Sequence, residues 1–259
     1  MGNLMSRSKD LSKRVIWCDT EGGMRGVAMW DVTFIDEGPD EAARALRLFS
    51  VSDAHKAGRT KLRKYVPMAV YASAMKTSSV YMSEHVLAKD GTFGMGTYTR
   101  VNMAMADAVR AYMDEREGCV LCAWNMRAHD KHVLTRLVGA GTVSKMVLWD
   151  ALPWFKSNYT LPKNAMSSDK AGTPRAVFGV KRQGAAHTSL ADAAHLRELV
   201  LRAAYCLPSR DTGASSGATR ADMFKAAQEE IEMHVDVEAW VPVPMCAWSG
   251  DIPSSVYNK

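Results

Sequence analysis

The sequence predicts an α/β fold built on one mixed central sheet. Three observations carry this. Short apolar runs rich in β-branched and aromatic residues come early in the chain. Apolar residues later recur at helical spacing, and helices then alternate with further short apolar runs. Strands first, followed by such alternation, is the pattern of a mixed sheet flanked by helices.

Taken in order, residues 1–14 are a polar, basic tail, and Val15-Ile16-Trp17-Cys18 is the first buried-strand candidate. Val27 to Ile35 and Leu46 to Val51 read as two more strands, joined to the first as an antiparallel meander. Gly91 to Gly96 is a glycine-rich loop. Val101, Met105, Ala108, Val109, Tyr112 and Met113 give one apolar helix face. Cys119–Ala123 and Met146–Trp149 are short strands. Between them Asp130–Val138 reads as a helix ended by Gly139. Prolines and glycines make 151–186 loop-rich, and Thr188–Ala204 is a long helix. Residues 15–207 thus form the principal domain, 208–220 a linker, and 221–259 an acidic C-terminal extension opening with a helix over Ala221–His234.

The composition suits a packed globular core, with 47% apolar and 24% charged residues. No secretory segment and no run of 18 apolar residues is present, so an intracellular protein, cytoplasmic or nuclear, is expected. Five cysteines, an odd count, argue against a disulfide framework. The net charge of +5 is uneven. Residues 208–259 carry four basic and eight acidic side chains, which leaves twenty-nine basic against twenty acidic in 1–207. Lys56, Arg59, Lys61, Arg63 and Lys64 sit in a stretch with no acidic residue between Asp53 and Glu84, and 156–182 is basic too. Such an excess suits a polyanion such as nucleic acid, or simply a solvated face.

Three segments carry chemistry. Asp19-Thr20-Glu21 closes the first strand, and side chains two apart on a strand share a face. Two adjacent carboxylates repel unless a cation lies between them, and oxygen pairs of this kind take hard divalent metals. Asp130 follows the strand and turn Val120-Leu121-Cys122-Ala123-Trp124-Asn125. Taken alone, it is an ordinary helix-start residue. His187 stands just before the long helix, with Asp192 in its first turns. Ser189 and Asp192 also match a capping box, which gives Asp192 a purely structural alternative.

In order and context these segments resemble the three motifs of the DEDDh (DnaQ-like) 3′→5′ exonucleases, which include polymerase proofreading subunits, ribonuclease T, oligoribonuclease and the TREX enzymes. Asp19-Thr20-Glu21-Gly22-Gly23 resembles the first motif, the stretch from Cys122 to Leu134 the second, and Ala185–Val200 the third. The resemblance covers roughly 15–207. Trp124 and His129 depart from the residues usual in the second motif, but neither is a motif carboxylate.

The resemblance implies a ribonuclease-H-like fold and a metal-dependent exonuclease that releases nucleoside 5′-monophosphates from DNA or RNA. Asp19, Glu21, Asp130 and Asp192 would hold two Mg²⁺ or Mn²⁺ ions, and His187 would be the general base. A single-stranded 3′ end is the expected substrate. Gly22, Gly23, Asn125, Lys61, Arg63 and Lys64 are candidate nucleic-acid contacts. The glycines would let the backbone approach the terminal sugar.

Other motifs weigh less. Cys119-x-x-Cys122 would point to opposite faces of a strand. The hydrolase-like and protease-like triplets around Gly213 lie in the linker. Met1-Gly2-Asn3-Leu4-Met5-Ser6 fits an N-myristoylation pattern at Gly2 with basic residues behind it, so a membrane surface is a possible partner. Residues 221–259 could dock a protein. Two rival readings follow: a non-catalytic nucleic-acid-binding scaffold on the same fold, and a membrane-peripheral adaptor.

Overall fold

The computed structural model describes residues 14–22, 28–38, 42–59, 66–88, 91–94, 96–159, 178–180, 188–207 and 218–236. Seven strands form one sheet: β1 (Val15–Glu21), β2 (Asp31–Glu37), β3 (Arg44–Ser50), β4 (Val80–Val86), β5 (Thr97–Val101), β6 (Val120–Ala123) and β7 (Val147–Asp150). Their order is β5-β4-β3-β2-β1-β6-β7. Pairing is antiparallel from β5 through to β1, then parallel from β1 to β6 and from β6 to β7. The helices are α1 (Val51–Lys56), α2 (Met68–Thr77), α3 (Met105–Asp114), α4 (Asp130–Val138), α5 (Ala140–Val143), α6 (Ala151–Asn158), α7 (Ser189–Tyr205) and α8 (Arg220–Asp236).

β1 is paired over its whole length with β2 and over Val15–Trp17 with β6, and that segment is buried on both faces. Val15 and Trp17 enter a core shared with Trp154 and Phe155 of α6, Leu196, Leu199 and Val200 of α7, and Phe224 and Ile231 of α8. Ile16 and Cys18 enter the opposite core with Val109 and Met113 of α3 and Val133 and Leu134 of α4. Alternate residues therefore feed two separate layers, as a strand's twofold period requires. Cys122 and Cys119 lie in these two different layers, so they do not face one another. A third cluster, with Trp30, Phe49, Val51, Ala54, Val66, Ala74 and Tyr81, fills the space under α1 and α2.

α7 is buried nearly all round because it lies between the sheet and α8. The helix expected over Ala221–His234 extends over Arg220–Asp236 and packs on the domain rather than standing clear of it. Its Phe224, Ala226, Ala227 and Ile231 are buried, the Trp154 indole donates to Glu230 at 3.2 Å, and Arg220 pairs with Glu198 at 2.6 Å. Residues 208–217 of the expected linker, and everything beyond 236, lie outside the described residues.

Several sequence expectations are corrected. The meander has five strands, not three. Val101 belongs to β5, and the helix with Val109, Tyr112 and Met113 begins at Met105. The second strand begins at Asp31, not Val27. The stretch 151–186 opens with a helix, α6, despite Pro153. Asp150 caps that helix by accepting the Leu152 N–H, and proline in a first turn forfeits no intrahelical hydrogen bond.

One buried ion network ties these layers together. Glu37 of β2 accepts hydrogen bonds from the Arg197 guanidinium of α7 and, at 3.0 Å, from the Trp17 indole. Arg197 also reaches Glu198, which in turn holds Arg220. Removing one member of a buried pair strands the other charge without water. Arg197→Ala is therefore expected to destabilise the fold by about 3–5 kcal/mol, read as a lower midpoint in urea unfolding.

Candidate metal centre

β1 leaves the core at its C-terminal end, and its last residues are where charged side chains can emerge. Asp19 and Glu21 share the face that looks towards α7. α7 starts at Ser189, so Asp192 lies in its first turn, above that face. One carboxylate oxygen from each of Asp19, Glu21 and Asp192 lies within 4.8 Å of the other two. Two distant parts of the sequence thus bring three hard oxygen donors together, the set that suits a divalent cation such as Mg²⁺ or Mn²⁺.

Asp130 is held beside this group but is not one of the three. It is the first residue of α4 and only 4% exposed. The Thr20 hydroxyl, on the opposite face of β1 from its neighbours, donates to Asp130 Oδ1 at 2.8 Å. The turn leading to it is also fixed. Asp150, at the end of β7, accepts the Arg127 N–H at 2.9 Å, and the Leu152 N–H bonds Trp124 O at 3.0 Å. Asn125, half-buried in that turn, offers its carbonyl to the His129 N–H. The strand Val147–Asp150 therefore steadies the segment that presents Asp130.

The electrostatics follow from crowding. Burial, then the charges of Asp130, Asp192, Glu21 and Asp31, push the Asp19 carboxyl well above the usual range. Glu21 is pushed up to about 8 by burial and by Asp31 and Asp192, while the charge of Arg59 pulls the other way. Burial raises Asp130 as well, opposed by His129 and the Thr20 hydrogen bond. A bound dication reverses this balance, because it favours the ionised form of every carboxylate around it.

Asp31 and Arg47 escaped the sequence reading. Asp31 faces Glu21 across the β1–β2 pair and is fully buried. Arg47 of β3, 3% exposed, meets it with two parallel hydrogen bonds of 2.8 Å. Asp31 also accepts from the Ser189 hydroxyl at 2.8 Å and from the Ser189 N–H at 3.3 Å. The Ser189 hydroxyl lies 2.7 Å from Thr33 Oγ1; since Ser189 donates to Asp31, Thr33 is the donor there. Ser189 is thus engaged with the sheet. The helix N-cap is Thr188, without a side-chain cap bond, and the expected Ser189–Asp192 capping box does not form. A sequence signal existed: an acid inside the apolar run Trp30–Phe34 and an arginine inside Leu46–Phe49 are a matched buried pair in neighbouring strands.

Gly22 has a reason within the fold itself. Its φ is +92°, and a Cβ there would fall 2.5 Å from the Ala28 carbonyl oxygen and 2.8 Å from the Trp30 ring. The space a side chain would take is filled by the protein's own chain, not left open for a sugar. Among the described residues of the basic stretch, Arg59, just past α1, is close enough to act on Glu21. Gly2, Gly23, Lys61, Arg63, Lys64 and His187 lie outside the described residues. A cavity of about 340 Å³ opens at the other end of the sheet, lined by Arg14, Asp36, Arg44, Glu84 and Arg116 among others; none of the four carboxylates borders it.

Comparison of the chain with protein-family models, with curated proteins and with solved structures finds no match. No helix among the described residues is long and apolar enough to cross a membrane.

A carboxyl raised in the folded state binds its proton more tightly there than in the unfolded chain. Metal-free protein should therefore lose stability as pH rises from about 4.5, the ordinary glutamate range, to about 8, where folded Glu21 titrates. The slope for one such group reaches at most about 1.4 kcal/mol per pH unit. Glu21→Gln should flatten it. Thermal melting in chelator across pH 4–9 measures both; an equally steep fall in the variant would remove Glu21 as its source.

Proposed function

We propose that this chain is a metal-dependent 3′→5′ exonuclease on a ribonuclease-H-like fold. The observation that carries the reading is the convergence of Asp19, Glu21 and Asp192 within 4.8 Å, with Asp130 held alongside by Thr20. The sheet supports it. Stripped of the two added edge strands, its order is β3-β2-β1-β6-β7, antiparallel on one side of β1 and parallel on the other. Active groups in such sheets gather beyond the carboxyl end of a central strand, where Asp19 and Glu21 stand.

The donor set fits two divalent cations. Asp19, Glu21 and Asp192 would hold one, and Asp130 with Asp19 the other. When bound, such ions lower the pKa of water and neutralise charge developing on the phosphate. The chain's own residues do the rest. Thr20 orients Asp130. His187, seven positions after the described Val180 segment and one before Thr188, would accept the proton of the attacking water at a ring nitrogen in its neutral form. Arg59 and the basic positions Lys61, Arg63 and Lys64 would neutralise backbone phosphates. Nucleoside 5′-monophosphates would leave stepwise from a single-stranded 3′ end of DNA or RNA.

The rival reading is a nucleic-acid-binding scaffold without catalysis. A buried carboxylate cluster of this density is costly for a scaffold, since burial and the charges of Asp31 and Asp192 outweigh the opposing charge of Arg59 at Glu21. The membrane-adaptor reading rests on Gly2 and has no support among the described residues.

The decisive assay uses 5′-labelled single-stranded DNA and RNA with Mg²⁺ or Mn²⁺. A ladder shortening one nucleotide at a time is expected, blocked by a 3′-phosphate and abolished by EDTA and by Asp19→Ala. Full activity in excess EDTA, or efficient cutting of a circular strand, would overturn the reading. His187→Ala should lower turnover by ~10²-fold or more and remove the rise of rate with pH through the histidine range, with metal affinity nearly unchanged. An unaltered pH profile in that variant removes His187 from the reaction.

A further inference from the structure

We propose that Asp31, backed by Arg47, is a positioning residue for this metal centre: through Ser189 it sets where Asp192 stands relative to Asp19 and Glu21. The inference rests on the metal-centre reading and adds a component that none of the motif residues supplies.

The geometry is specific. Asp192 is three residues after Ser189, so the first turn of α7 carries both, and the placement of one fixes the other. Ser189 is fully buried and is held by side chains from two alternate positions of β2, Asp31 and Thr33, on one face of the sheet. Those two positions pair with Glu21 and Asp19 respectively in the β1–β2 ladder. The strand residues that hold the helix and the strand residues that hold the cation are therefore direct cross-strand neighbours. A shift of the α7 N-terminus moves Asp192 against a fixed Asp19–Glu21 pair, and divalent sites lose affinity when one ligand is misplaced.

Arg47 explains why Asp31 serves as an anchor and not as another ligand. Both its oxygens are engaged by the guanidinium fork, and both also accept from Ser189. Two parallel charge-assisted bonds fix the carboxylate plane, and a fixed acceptor gives a fixed donor. Asp31 does not belong to the group of oxygens that lie within 4.8 Å of one another, although it pairs with Glu21. A nearby carboxylate already committed to a cation of the protein's own is a support for the ligands.

The test compares Ser189→Ala with Asp31→Asn in the full chain. Ser189→Ala removes one hydroxyl and leaves the Asp31–Arg47 pair intact, so it keeps the experiment informative if Asp31→Asn fails to fold. Two quantities are read: Mn²⁺ affinity by calorimetry, and hydrogen exchange of the backbone amides at 188–192. Ser189→Ala should weaken Mn²⁺ binding by about 10-fold or more and speed exchange in that turn, with the global melting temperature nearly unchanged. Ser189→Thr, which restores the hydroxyl, should recover part of both. A variant that melts lower yet binds Mn²⁺ as the wild type does would show a purely structural role and overturn the proposal. So would unchanged exchange at 188–192 in both variants. Wild-type protein that binds no Mn²⁺ at all would instead sink the metal-centre reading, and it would do so whatever the exchange data show.

Discussion

β1 is hydrogen-bonded antiparallel to β2 over its whole length and parallel to β6 over Val15–Trp17, where it is covered on both faces. Everything else in the structure depends on that enclosure. Where both edges are paired and both faces covered, over Val15–Trp17, the strand carries only apolar side chains, and the polar ones follow beyond the last residue paired with β6. Asp19 and Glu21 occupy that end, and three other elements bring charge to it: α4 with Asp130, α7 with Asp192, and β2 with Asp31. The acids are not scattered on a surface. Each is delivered by an element whose own packing fixes its position.

The price of such crowding is mutual repulsion, and the fold manages it unevenly. On β2, residues 31, 33 and 37 are polar or charged and yet point under α7. Asp31 is matched by Arg47, Thr33 by Ser189, and Glu37 by Arg197. These positions are satisfied within the protein. Among the described residues no guanidinium forks onto Asp19 or Glu21 in this manner, and their proton affinities are raised by burial and by the neighbouring carboxylates. Compensated and uncompensated carboxylates thus lie side by side in adjacent strands. The contrast separates carboxylates neutralised within the architecture from carboxylates whose proton affinity is raised.

The parts legible in the sequence are those governed by short-range rules. Val15–Cys18 reads as a buried strand because four consecutive apolar residues have no other use at that length. The helix Asp130–Val138 is bounded by an acid at its start and Gly139 at its end, and the structure gives those same limits. The long helix α7 and the carboxylates Asp19, Glu21 and Asp192 were found through their motif contexts. What was not legible depends on partners far away in the chain. β4 and β5 alternate poorly: Val80–Val86 mixes Glu84 and His85 with apolar residues, and Thr97–Val101 is largely exposed. They exist as strands because β3 offers an edge. α6 was hidden by Pro153, whose placement is harmless only once Asp150 caps the turn. Asp31 escaped notice because its partner Arg47 stands on the neighbouring strand, diagonal to it in the ladder.

The parallel pairing of β1 with β6 joins Val15 to Val120, across more than a hundred residues of intervening chain. The antiparallel ladder from β1 to β5 closes far shorter segments. Loop-closure entropy makes the ladder the cheaper assembly, so it is expected to form early and the parallel half to dock later. Asp130 and Asp192 arrive with that second half. A folding chain therefore meets the full repulsion of its acidic cluster only at the end of assembly, after most apolar surface is already sequestered. Under the proposed metal-centre reading, a divalent cation would act chiefly on the rate of unfolding and leave the rate of folding almost unaltered.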